Sequence, residues 1–111
     1  MPQPVYSISF IRQKGVHGLS STVTVPHGFV YVVKFIAAYA NSTGGMSVNF
    51  RDDTLGATWW HREWGFTDNH SATELVTIAF SESESFNFEV LSVGPGEKAD
   101  VFAGGYALTL P

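Results

Sequence analysis

Phe29-Val30-Tyr31-Val32-Val33-Lys34-Phe35-Ile36-Ala37-Ala38-Tyr39-Ala40 is the longest apolar stretch of the chain, interrupted only by Lys34. Its β-branched and aromatic residues favour extended backbone. In a strand, Phe29, Tyr31, Val33, Phe35 and Tyr39 fall on one face and Val30, Val32 and Ile36 on the other. A strand apolar on both faces is either central in a sheet or covered by a neighbouring subunit. The stretch is far shorter than the roughly 20 apolar residues of a spanning helix, so no membrane insertion is expected.

Outward from this strand, period-two alternation with short punctuators recurs in both directions. Upstream, Val25-Pro26-His27-Gly28 has Pro second and Gly fourth, the signature of a type I turn. Ser21 to Val25 makes one run and Val5 to Ile11 another, with a loop at Gly15 and Gly18 between them. Downstream, the flexible hairpin loop Asn41-Ser42-Thr43-Gly44-Gly45 leads into Met46, Val48 and Phe50, which alternate with Ser47, Asn49 and Arg51. Thr58 to Trp64 forms the next run, followed by a polar loop from Gly65 to His70. Ser71 and Glu74 have the spacing of a helix capping box, but Val76, Thr77, Ile78 and Phe80 favour a strand, and a strand is expected. After the acidic connection Ser81 to Ser85, Phe86, Phe88 and Val90 alternate with polar residues. The last run, Asp100 to Leu110, contains Gly104-Gly105, which marks a bulge or the close approach of another backbone.

About eight short antiparallel strands in 111 residues predict an all-β, single antiparallel β-sandwich of jelly-roll type. The length fits one domain spanning residues 1–111, with residues 1–4 as a short arm. The apolar fraction of 44% excludes compositional disorder, and only 14% of residues are charged. Ser and Thr, 20 residues together, must supply much of the polar surface, as they often do where partners cover it. The net charge of −4 is uneven. Residues 1–51 hold four basic residues and no acidic one, whereas residues 52–111 hold two basic and ten acidic. With no cysteine, a disulfide framework, a thiolate metal site and a cysteine nucleophile are excluded. The start lacks the features of a signal peptide, so synthesis in the cytoplasm is expected.

Catalysis needs convergent groups, and few are offered. His17, His27, His61 and His70 lie in four different segments without metal-ligand spacing. His61, Glu63 and His70 make the one conceivable metal set, and polar side chains in water beside the Trp cluster are the plainer reading of them. Serine-nucleophile motifs, phosphate loops and dinucleotide fingerprints are missing. The expectation is therefore no enzyme activity, no cofactor and no bound metal. Trp59, Trp60 and Trp64 form the sharpest cluster. Strand alternation puts Trp59, His61 and Glu63 on one face, with Trp60, Arg62 and Trp64 on the other. One face packs in the core. An exposed Trp beside His61 would anchor a protein partner or stack on a glycan. Nucleic-acid binding is not expected of an acidic chain with no basic stripe beside its aromatics.

The run Thr22-Val23-Thr24-Val25-Pro26-His27-Gly28-Phe29-Val30-Tyr31-Val32-Val33, the pair Trp59-Trp60 and the ending Gly105-Tyr106-Ala107-Leu108-Thr109-Leu110-Pro111 resemble small virion proteins of tailed bacteriophages. These are minor tail or accessory proteins with a V-P-x-G turn near the start and a similar ending. The resemblance implies a non-enzymatic structural subunit, located in the virion and made in the host cytoplasm. It would form a homotrimer or ring and dock on other tail or capsid proteins. Val30, Val32, Ile36, Gly104 and Gly105 are the candidate interface residues. The alternative is a glycan-binding module for host recognition through Trp59, Trp60, Trp64 and His61.

Overall fold

Residues 7–41, 45–53, 59–67, 70–92, 94 and 96–111 are described in the computed structural model; they form nine strands, with no helix among them. In chain order these are β1 (Ser7–Val16), β2 (Gly18–Leu19), β3 (Val23–Thr24), β4 (Phe29–Asn41), β5 (Met46–Asp52), β6 (Trp59–Phe66), β7 (His70–Phe80), β8 (Ser85–Ser92) and β9 (Lys98–Thr109). Strand formation goes further than the punctuators suggest. Gly15 lies within β1, and Gly65 lies within β6. The Ser71–Glu74 capping-box spacing is not used, because both residues pair with β4, opposite Tyr39 and Ile36.

The strands divide into two antiparallel sheets. The first has the order β1-β9-β4-β7; the second has the order β2-β8-β5-β6, with β3 also paired to β8. Counting β2 and β3 as one interrupted strand gives eight. Each of the first four then pairs with its counterpart from the far end of the chain: β1 with β9, β2 and β3 with β8, β4 with β7, and β5 with β6. An antiparallel ladder paired in this way and rolled into two sheets is a jelly roll. The turn before β4 is shifted by one residue from the expected frame. Phe29 N–H donates to Pro26 O, so Gly28 is the third residue, with φ 88°, the left-handed backbone a type II turn requires there.

The core lies between the sheets and is aromatic at one end. Phe50, Phe80, Phe86 and Phe88 are fully buried, with the Phe80 and Phe86 rings stacked at 4.5 Å and those of Phe50 and Phe88 meeting edge to face at 5.1 Å. Ala38, Ala40, Ala99 and Val101 fill the other end.

The faces of β4 differ from strict alternation. The ladder between β4 and β9 shifts between Val33 and Phe35, leaving Lys34 as an extra residue, and β1 has a matching shift between Ser9 and Ile11. A bulge of one residue inverts every face beyond it. Phe29, Tyr31 and Val33 therefore point inward, and so do Ile36, Ala38 and Ala40. Phe35 and Tyr39 lie outside. Ile36, expected on an interface, is instead fully buried in the core. Gly104-Gly105 lies opposite the shift in β4, and the shift in β1 falls opposite Gly104 and Ala103. A Cβ on Gly105 would sit 1.9 Å from the carbonyl oxygen of Val32, so the expected close approach is the passage of β4 itself.

Gly105→Ala should therefore destabilise the protein by the upper part of the roughly 1–3 kcal/mol that overpacking costs, or more. Gly104→Ala should cost clearly less, because its added methyl meets mainly the Phe102 ring, at 2.9 Å, and that ring can turn aside. Urea denaturation of the two variants gives the comparison.

Candidate interaction surface

The outer face of the first sheet collects what the inverted alternation leaves outside. On β4 these are Val30, Val32, Phe35, Ala37 and Tyr39; the register places Leu75 of β7 opposite Phe35, and Phe102, Tyr106 and Leu108 of β9 opposite Ala37, Val32 and Val30. Leu75 is 82% exposed and Tyr39 48%. Two shallow depressions share Phe102 as a wall. One, of about 270 Å³, has Ala37, Tyr39 and Phe102 against Arg12, Lys14, Ser71 and Thr73. The other, of about 380 Å³, is floored by Gly104 and Gly105, where missing side chains let the surface sink between Phe35, Lys34 and Tyr106. Of the expected interface residues, Val30, Val32, Gly104 and Gly105 come together here, with Val32 itself 6% exposed beneath its neighbours.

This face is also basic. Arg12 and Lys14 alternate outward along β1, Lys34 projects from the bulge and donates to the Thr77 hydroxyl at 2.7 Å, and Lys98 opens β9. Asp100 is the acid among them, and it accepts a hydrogen bond from Gly15 N–H at 2.9 Å.

The outer face of the second sheet has the opposite character. Asn49, Asn87 and Arg51 are its central polar residues, with both asparagines fully buried beneath their neighbours. Arg51 reaches Glu89 at 3.5 Å and Asp53 at 3.8 Å. The Asn49 amide nitrogen and the Asn87 carbonyl oxygen have no hydrogen-bond partner. Glu63 stands opposite Asn49, and Leu19 and Leu91 are exposed along β2 and β8.

The tryptophan cluster is split by a second bulge. Arg62 pairs with Phe50 and Trp60 with Arg51, so His61 has no residue opposite it in this ladder. The expected alternation therefore breaks at His61. Trp64 turns inward, half-buried against the core, and its indole nitrogen donates to Glu74 on β7 at 3.3 Å. It does not form an exposed stacking platform. The side chains of Trp59, Trp60 and His61 lie outside the described residues. Glu63 faces outward, whereas His70 packs its ring against the inward Phe66 at 6.2 Å, so Glu63 and His70 do not converge. Among the described residues no three His, Asp or Glu side chains are grouped as metal ligands, and no helix is long and apolar enough to cross a membrane.

Glu74 ties the two sheets together at the open flank where β6 faces β7. Arg62 hydrogen-bonds its carboxylate and holds the Glu74 pKa below the usual carboxylate value; the Trp64 indole acts in the same direction, against the opposing effect of partial burial. Alternation puts Arg62 and Trp64 on one face, as found, but spacing cannot point to Glu74, which lies in the other sheet. Comparison with protein-family models and with curated proteins finds no match.

A carboxyl whose pKa is lowered by folding adds stability above its ordinary value, near 4.3, and loses it as the pH falls through that value to the folded one. Glu74→Gln, which keeps the acceptor for Trp64, should cost about 0.5 kcal/mol at pH 7, the scale of a partly solvated ion pair. The difference from the parent protein should shrink in acid, as read by denaturation at pH 7 and pH 3.

Proposed function

We propose that the chain is a non-enzymatic structural subunit that associates with copies of itself and docks on a larger particle. Its resemblance to small virion proteins makes a tailed-phage tail or capsid the setting. The outer face of the first sheet carries this reading: a contiguous apolar surface with shallow depressions is poor design for a face left in water, and such patches mark association sites. Exposed Leu75 and Tyr39 are suited to anchor a partner, because rigid or branched apolar side chains bury area at small entropic cost. The cations at its margins would supply orientation more than affinity. A trimer or a larger ring are the assemblies this role implies.

Sedimentation velocity over a concentration series tests the proposal. The parent protein should form assemblies, and Leu75→Ser with Tyr39→Ser should weaken them roughly 100-fold, as expected for losing two anchors. The circular dichroism of the variant should remain that of a β protein, since both residues lie outside the core. A parent protein that stays monomeric throughout would reject self-association.

A further inference from the structure

We infer that copies of this chain associate heterologously, with the outer face of the first sheet of one copy against the outer face of the second sheet of the next. The inference rests on the self-association proposed above and specifies its geometry. Among the described residues, the first face carries Arg12, Lys14, Lys34 and Lys98 against Asp100, a balance of +3. Arg12, Lys14 and Lys98 have no carboxylate partner among the described residues. Among the described residues the second face carries Asp53, Glu63 and Glu89 against Arg51, a balance of −2. A two-fold contact would place the same patch on both copies and bring two basic faces together. Like charges at contact cost energy and select against that pairing. Stacking first face on second pairs opposite signs instead.

The apolar parts also correspond. Leu75 and Tyr39 project from the first face, and Leu19 and Leu91, 57% and 50% exposed, project from the second. Strands of 10 to 13 residues at about 3.3 Å per residue, four abreast at about 4.8 Å, make the first face about 38 Å by 19 Å, or roughly 700 Å². The second face, with strands of 7 to 8 residues, measures about 25 Å by 19 Å, or roughly 500 Å². The contact is therefore smaller than the roughly 800 Å² per partner of a standard stable interface and belongs with weak, reversible associations. The two faces lie on opposite sides of the sandwich, so repeated contacts build a stack or a many-membered ring rather than a trimer.

Two variants test this. One carries Leu75→Glu with Tyr39→Glu on the first face, and the other carries Leu19→Lys with Leu91→Lys on the second. Each alone should sediment as a monomer, with circular dichroism matching the parent. Mixed, they should form a 1:1 complex and nothing larger, because each retains the face the other lacks and the two mutated faces cap the pair. Association of the parent protein should also weaken at least about tenfold between 0.1 and 0.5 M salt, as expected for opposed charges. A second-face variant that assembles like the parent would overturn the heterologous contact while leaving self-association through the first face intact. Failure of the mixture to associate, or indifference to salt, would also overturn it. A parent protein that is monomeric at every concentration would instead remove the reading on which the inference rests.

Discussion

The close passage of β9 beneath β4 at Gly105 is the constraint on which the rest of the first sheet depends. The Val32 carbonyl occupies the place a Cβ would need, so no other residue fits without displacing backbone. Both neighbours of β9 take up the irregularity with an extra residue, Lys34 in β4 and Phe10 in β1. The shift in β4 then decides which side chains form the core. Before it, Tyr31 and Val33 point inward; after it, Ile36, Ala38 and Ala40 do. Large rings pack where Phe50, Phe80, Phe86 and Phe88 meet, and small side chains where Ala38 and Ala40 meet Ala99. Without the shift, Phe35 and Tyr39 would compete for that narrower space.

Fold class was legible because it rests on a property that survives local error. Alternation in eight runs, each closed by turn residues, indicates antiparallel strands whether or not any one boundary is right. The pairing of each strand with its opposite number follows once two sheets are formed. Face assignment was less legible, because it depends on an unbroken count of two. Gly104-Gly105 signalled a bulge or a close approach, but a pair of glycines does not say which neighbouring strand absorbs the extra residue. An unbroken count therefore places Ile36 outward, whereas it is core. His61 repeats the problem in β6, where one unpaired residue breaks the count between Trp60 and Arg62, which were expected on one face. Long-range partners such as Arg62 and Glu74 leave no trace in spacing, since the flank that joins them exists only after both sheets are placed.

The charge imbalance between the halves of the chain becomes a difference between faces because of how a jelly roll distributes its strands. The early strands β1 and β4 belong to the first sheet and bring Arg12, Lys14 and Lys34 to its outer side. Arg51, the remaining cation of that half, sits in the second sheet, where Asp53 and Glu89 neutralise it. Of the acids of the later half, Glu74 and Asp100 belong to the first sheet, Glu63 and Glu89 to the second, and Glu82 and Glu84 to the turn after β7. There Glu82 accepts from Gly28 N–H and pairs with His27, while Glu84 accepts from Ser81 N–H. These turn carboxylates have local partners and hold the β3–β4 and β7–β8 connections. Glu63 and the cations on the first sheet do not have that local role.

Net charge and face charge act on association over different distances. A net charge of −4 on each copy repels across the whole molecule, whose shortest extent is 18 Å. At physiological ionic strength the screening length is about 8 Å, so most of that repulsion is lost before two copies meet. Opposed charges at a contact lie within a few ångströms, partly sheltered by the apolar side chains around them, and are screened much less. The sign that governs binding is therefore that of the facing surfaces rather than that of the chain. A chain with few charges, most of them placed by sheet topology on two opposite faces, retains a preferred direction of contact even though its total charge would keep copies apart.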